Sequence, residues 1–207
     1  CPTSNNYAKR AGAKLRLPVR DFSCSGAVSM SRGPQVSQQV DAAIRSGALS
    51  PATNRVVITT GFNDTYNHRD MNLPQIRKEF ADRTAPQIER IKRAAPNARV
   101  QIVGYPTIGS GPYYCLFHFG PRPADSTFLP GIQDFENKAQ WMQVDLAART
   151  GVQFLDMKPS TRNNGMCADA NQRMWAGLVD FTAGDGNLPI HMNQRGHEHA
   201  ANVIARS

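Results

Sequence analysis

The sequence predicts an α/β protein built on a parallel central sheet with helices on both faces. Three observations carry that prediction. A helical pattern followed by a strand pattern recurs three times by residue 105; the strand runs at 55–60 and 98–105 are β-branched or apolar nearly throughout, as strands buried on both faces are; and the 207 residues suffice for one sizeable core but are short for two.

Residues 5–15 set Tyr7, Ala8, Ala11 and Leu15 at helical spacing, and residues 17–22 then read as a short strand. Residues 36–49 form a second amphipathic helix, followed by the β-branched strand at 55–60, which Gly61 ends. A long helix over 73–95 is capped by Asn72 and carries Pro74 in its first turn, where an N–H is dispensable. Residues 98–105 are the next buried strand. The glycine- and proline-rich stretch that follows, to about residue 129, reads as one long irregular loop at the end of the sheet. A helix over 131–150, a short strand at 152–155 and a closing helix over 191–204 complete the order. No repeat, low-complexity tract or linker interrupts it, so residues 1–207 are expected to form a single domain. Sheets of this kind hold ligands beyond the C-terminal ends of their strands, so functional residues are sought there.

Lys and Arg number 24 against 16 Asp and Glu, a formal charge of +8. The arginines are scattered, and no zinc-finger spacing, RRM-type aromatic motif or basic heptad array accompanies them, so no nucleic-acid partner is expected. Contact with an anionic cell envelope is the expected use of that charge. No run of 18 or more apolar residues occurs and no apolar leader is present, so a soluble chain is expected. Cys1, Cys24, Cys115 and Cys167 include no C-x-x-C pair, which favours disulfides and export over zinc or a redox dithiol. The expected bridges are Cys1–Cys24 and Cys115–Cys167, each joining sequential neighbours. Four buried thiols, or an acylated Cys1 that leaves one thiol odd, are the rival readings.

Three segments carry candidate chemistry. In "DFSCSGA", residues 21–27, Gly26 permits a tight turn and an exposed N–H that can donate to an oxyanion, although a plain turn fits as well. In "TTGFNDTYN", residues 59–67, Asn63 offers a neutral amide donor just past a strand, while Asp64 is expected to bond nearby backbone groups. In "LPIHMNQRGHEHAANVIA", residues 188–205, His191 stands at a helix start, a suitable place for a general base whose second nitrogen is held. His197, Glu198 and His199 do not give H-E-x-x-H spacing, so metal is not expected, and His68 and His118 lie in loops without partners at ligand spacing.

Together, "SCSGA" with Gly26, "GFND" with Asn63 and "HMNQRGHEHAANVIA" with His191 resemble, in order and spacing, the SGNH hydrolases, also called GDSL-type esterases and lipases. The likeness is strongest to the secreted actinobacterial branch of that family. It implies a flavodoxin-like three-layer αβα sandwich and a secreted serine ester hydrolase needing no metal or organic cofactor. Gly26 N–H and the Asn63 amide would hold the oxyanion and His191 would take the serine proton. The substrate implied is an ester-bearing small molecule, lipid or acylated glycan. Sugar O-acyl transfer and non-catalytic glycan or lipid binding are the alternatives that the same resemblance permits.

Two departures from the family pattern matter. The Gly-Asp-Ser-like block that supplies the nucleophile is expected upstream of Cys1, or on a separate N-terminal peptide, so the first strand is expected to be absent from or separate from this chain. Ser25 and Ser110 are the weaker internal rivals, since neither stands in G-x-S-x-G. The aspartate that usually precedes the histidine by three residues is Leu188 here, so the Leu188 carbonyl is expected to accept the Nδ1 proton, with Asp185 as rival. The aromatic loop at 111–121 either walls an acyl or aryl pocket or forms a satellite core.

Overall fold

The computed structural model describes Cys1 and residues 5–207. In chain order the elements are α1 (Tyr7–Leu15), α2 (Val36–Arg45), β1 (Arg55–Ile58), α3 (Phe62–Asn67), α4 (Leu73–Ala94), β2 (Arg99–Val103), β3 (Tyr113–Tyr114), β4 (Phe117–His118), β5 (Thr127–Phe128), α5 (Pro130–Thr150), β6 (Gln153–Leu155), α6 (Lys158–Thr161), β7 (Val179–Asp180) and α7 (Gln194–Ala205). They divide into two compact units. The first comprises Cys1, Val19–Gly104 and Asn137–Leu155; the second comprises Asn5–Pro18, Tyr105–Glu136 and Asp156–Ser207. Among the described residues no helix is long and apolar enough to cross a membrane.

The first unit holds the parallel sheet, in the order β1-β2-β6, with Arg55 opposite Arg99 and Gln101 opposite Gln153. Parallel neighbours require crossovers, which α4 supplies between β1 and β2 and α5 between β2 and β6. The core joins Val36 and Val40 of α2, Ile76, Phe80 and Ile88 of α4, Val100 and Ile102 of β2, and Met142 and Leu146 of α5. Burying one such aliphatic side chain contributes about 1.5–3 kcal/mol, so this cluster dominates the unit's stability. The Asn72 side chain accepts from Gln75 N and the Gln75 side chain from Asn72 N, a reciprocal cap that fixes the start of α4 as the sequence predicts. At the strand ends, Gln143 Nε2 donates to the Thr60 and Val103 carbonyls, satisfying groups the ladder leaves open.

In the second unit α1 lies against α7, where Ala11 and Gly12 meet a helix whose buried residues are Gly196, Ala200, Ala201 and Ile204. Gly196 has no alternative, because a Cβ there would stand 2.2 Å from the Met174 carbonyl oxygen. β3 pairs with β5 antiparallel, and β4 with β7 parallel.

Several local expectations change. Residues 17–22 form no strand among the described residues. Arg16 closes α1 at φ 56° with Leu17 N bonded to Gly12 O, and Pro18, which has no N–H, cannot extend a ladder. The second helix stops at Arg45 because Gly47 turns the chain at φ 75°. The stretch expected to be one irregular loop instead contains β3, β4 and β5. The closing helix begins at Gln194, capped by Asn193, so His191 lies outside it. The expected bridges Cys1–Cys24 and Cys115–Cys167 are both formed.

Candidate active site

Gly26 occupies a turn closed by Ala27 N donating to Cys24 O at 3.2 Å, with Ser25 and Gly26 at its centre. Its φ of +81° is the left-handed value that the third position of a type II turn requires, which glycine adopts without strain. Gly26 is exposed, and its N–H bonds no backbone carbonyl among the described residues. Asn63 lies in the first turn of α3, and its Nδ2 donates to the Ala27 carbonyl at 3.1 Å. The Asn63 amide is therefore bonded to the residue that directly follows Gly26. Tyr66, one turn later on α3, donates its hydroxyl to Asn63 Oδ1 at 3.1 Å, so both ends of the amide are tied.

Asp64 holds the approach to that pair. It is fully buried and accepts from Ser29 N at 2.8 Å, Met30 N at 2.9 Å and Ser31 Oγ at 2.8 Å. A carboxylate spent on three donors in one short loop is structural, as expected from its place beside Asn63.

His191 belongs to the second unit. Its Nδ1 lies 2.8 Å from the Pro189 carbonyl, which leaves the exposed Nε2 as the nitrogen able to take a proton. The holding carbonyl is therefore that of Pro189, two residues back, and not that of Leu188, which accepts from Asn187 Nδ2. No bond joins Asp185 to His191 among the described residues. The cause is Ile190, a β-branched residue at φ 55°, where such side chains are strained. Ile190 N bonds Gly177 O, Ala176 N bonds His191 O, and Trp175 pairs with Met192, so the segment beside it imposes the twist. Strain one residue before a candidate base is a signal that sequence patterns do not carry.

Ser25 and Ser110 are both exposed, the former in the Gly26 turn and the latter paired with Tyr113 at a reversal, so neither occupies a strand–turn–helix elbow. His118, placed in a loop by its sequence, is buried. Nδ1 lies 2.6 Å from Asp180 Oδ2 and Nε2 lies 2.8 Å from the Met166 carbonyl. The ring is thus held at both nitrogens, by a carboxylate on one side and a main-chain carbonyl on the other. Burial works against the Asp180 charge, but hydrogen bonds from His118, Thr182 and Gly177 outweigh it and pull that carboxyl down to about 2. The aromatic loop at 111–121 splits between faces, with Tyr114, Cys115 and His118 buried and Tyr113 and Phe119 exposed.

The model of the GDSL-like lipase/acylhydrolase family matches residues 2–199. This chain belongs to that family. Solved structures share its fold: a phospholipase A1 from Streptomyces albidoflavus NA297 aligns at a TM-score of 0.62 with 16% identity, covering 99% of this chain and 86% of the other. An extracellular lipase from Streptomyces rimosus aligns at 0.56 with 15% identity, covering 97% and 86%. No curated protein sequence matches this GDSL-family chain. The α/β fold with its parallel sheet is thus that of the SGNH hydrolases.

Proposed function

We propose that this GDSL-family chain is an exported carboxylic ester hydrolase that works through a Ser–His dyad. The observation that supports the reading is the bond from Asn63 Nδ2 to Ala27 O, which ties the amide to the residue after Gly26. Two neutral donors side by side suit an oxygen that becomes negative during the reaction, and they lose no proton to it. The nucleophile is a serine from the block that precedes the "CSGA" segment in the family's order. As its Oγ bonds to the acyl carbon, His191 Nε2 takes the hydroxyl proton, and the Pro189 carbonyl holds the Nδ1–H of the resulting imidazolium. Gly26 N–H, the Asn63 amide and the serine's own N–H accommodate the oxyanion. Collapse breaks the ester C–O bond, the alcohol leaves with the proton from His191, and water, deprotonated by the same nitrogen, releases the acid.

Export is supported by the two disulfides, since such bonds persist in oxidising compartments. The substrate is an ester-bearing small molecule, a lipid or an acylated glycan.

The test is labelling with a fluorophosphonate probe, peptide mapping, and hydrolysis of p-nitrophenyl acetate. A label on a serine upstream of Cys1 or on an accompanying peptide is expected. Asn63→Ala should lower kcat about 10²–10³-fold, as loss of one oxyanion donor does, and His191→Ala should lower it by at least as much. Labelling of Ser25 or Ser110 would reassign the nucleophile. An His191→Ala protein that hydrolyses the ester at the native rate would sink the dyad.

A further inference from the structure

We propose that the outer face of the β4–β7 pair is a docking surface for an anionic lipid bilayer. In the parallel register Phe117 stands opposite Val179 and His118 opposite Asp180. The two-residue period of a strand then sends His118 and Asp180 inward and Phe117, Phe119, Val179 and Phe181 outward. The inner side is tightly built. Besides the His118–Asp180 pair, the buried Arg173 guanidinium donates to Gly120 O at 3.3 Å and to Thr182 Oγ1 at 2.9 Å. Those acceptors belong to the residues directly after Phe119 and Phe181, so buried charges tie down the backbone on which both rings stand.

The outer side is left in water. Phe181 is 77% exposed, Phe119 55% and Leu178 47%. The rings form a row, with centroids 6.3 Å apart from Phe117 to Phe119 and 5.5 Å apart from Phe119 to Phe181. Clustered apolar rings on a rigid mount, with no core to enter, mark an interaction surface rather than scattered exposure. The apolar surface also continues on the segment that carries His191. Ile190 N bonds Gly177 O, next to Leu178, and both Leu188 and Ile190 are exposed.

Two features select the occupant. Phenylalanine rings present no polar atom to pair, so the partner must offer hydrocarbon. The chain carries +8, and Arg122, two residues past Gly120, is exposed, so the partner should be negative. An anionic bilayer supplies both, attracting the basic protein from a distance and admitting apolar side chains at its interface. The surface would bring His191 to its ester at the membrane, and this purpose rests on the proposed hydrolase function, whereas docking itself does not.

Sedimentation with sucrose-loaded vesicles of phosphatidylglycerol or of phosphatidylcholine tests it, with p-nitrophenyl acetate hydrolysis followed in parallel. The native protein should bind the phosphatidylglycerol vesicles at least tenfold more tightly than the phosphatidylcholine ones. Phe119→Ser with Phe181→Ser should reduce that binding at least tenfold with the near-UV spectrum and soluble-ester hydrolysis unchanged, and Phe119→Leu with Phe181→Leu should restore most of it. Absence of native binding, or equal binding by the serine variant, overturns the proposal. So does a native dimer that the serine variant dissolves, because the face would then belong to a second copy. Vesicle binding without ester hydrolysis, by protein that carries the serine-bearing block, would overturn the enzyme reading and leave the docking surface intact.

Discussion

Asn63 can act as an oxyanion donor only if its amide plane is held, and the bonds to Ala27 O and from Tyr66 hold both ends of it. Removing one neutral hydrogen bond costs about 1 kcal/mol, so Tyr66→Phe should lower kcat roughly fivefold. KM and melting temperature should hardly move, because Tyr66 is exposed and its ring stays. If the hydroxyl acts through Asn63, Tyr66→Phe should have no further effect on an Asn63→Ala protein; additive losses would show that it acts otherwise. The turn at Gly26 and the place of Asn63 just past β1 are legible in the sequence because both are local features. The carbonyl that holds His191 is not. Which oxygen faces Nδ1 depends on the backbone of Ile190, and that is dictated by Gly177, distant in sequence.

The helices are the elements best read from sequence, since their limits are set by neighbouring side chains such as the Asn72–Gln75 cap. Short strands are read worst. A two-residue strand such as β4 has no period to detect and exists only because β7 lies alongside, while residues 17–22 have strand-like composition but join no ladder among the described residues. The docking of α1 on α7 shows the same dependence. Tyr7 N donates to His197 Nδ1 at 3.1 Å, which requires that nitrogen to be unprotonated. Burial, then the charges of Arg10 and His191, push His197 down from 6.5 to about 4. The unfolded chain therefore takes up this proton as pH falls through 6.5 while the folded chain resists until about 4. Stability from this group is full above pH 6.5 and is lost progressively toward pH 4, by about 2 kcal/mol at pH 5. Thermal melts at pH 7 and 5 should show that loss, and His197→Asn, which keeps an acceptor but cannot titrate, should flatten it. Equal slopes for the two proteins would refute the assignment.

At the scale of the molecule, the disulfides constrain the unfolded chain. Cys115–Cys167 spans 52 positions and Cys1–Cys24 spans 23, and the entropy of loop closure grows with span. Replacing Cys115 and Cys167 by Ser should cost roughly 2–4 kcal/mol in urea unfolding, and more than the same change at Cys1 and Cys24. The reverse ranking would mean that native packing, rather than chain entropy, decides the cost.

By itself the sequence determined the α/β class, the main helices and sheet strands and the order of the family's motifs, and it led to an expected cysteine pairing that the structure shows. All of these rest on periodicity, caps and residue types that act over a few positions or on order along the chain. Only the tertiary structure decided which carbonyl faces His191, that His118 and Asp180 form a buried pair, and that Phe119 and Phe181 stand outward. Each of these depends on segments that meet across dozens of residues, where burial, hydrogen-bond partners and backbone twist are set by the neighbour rather than by the local sequence.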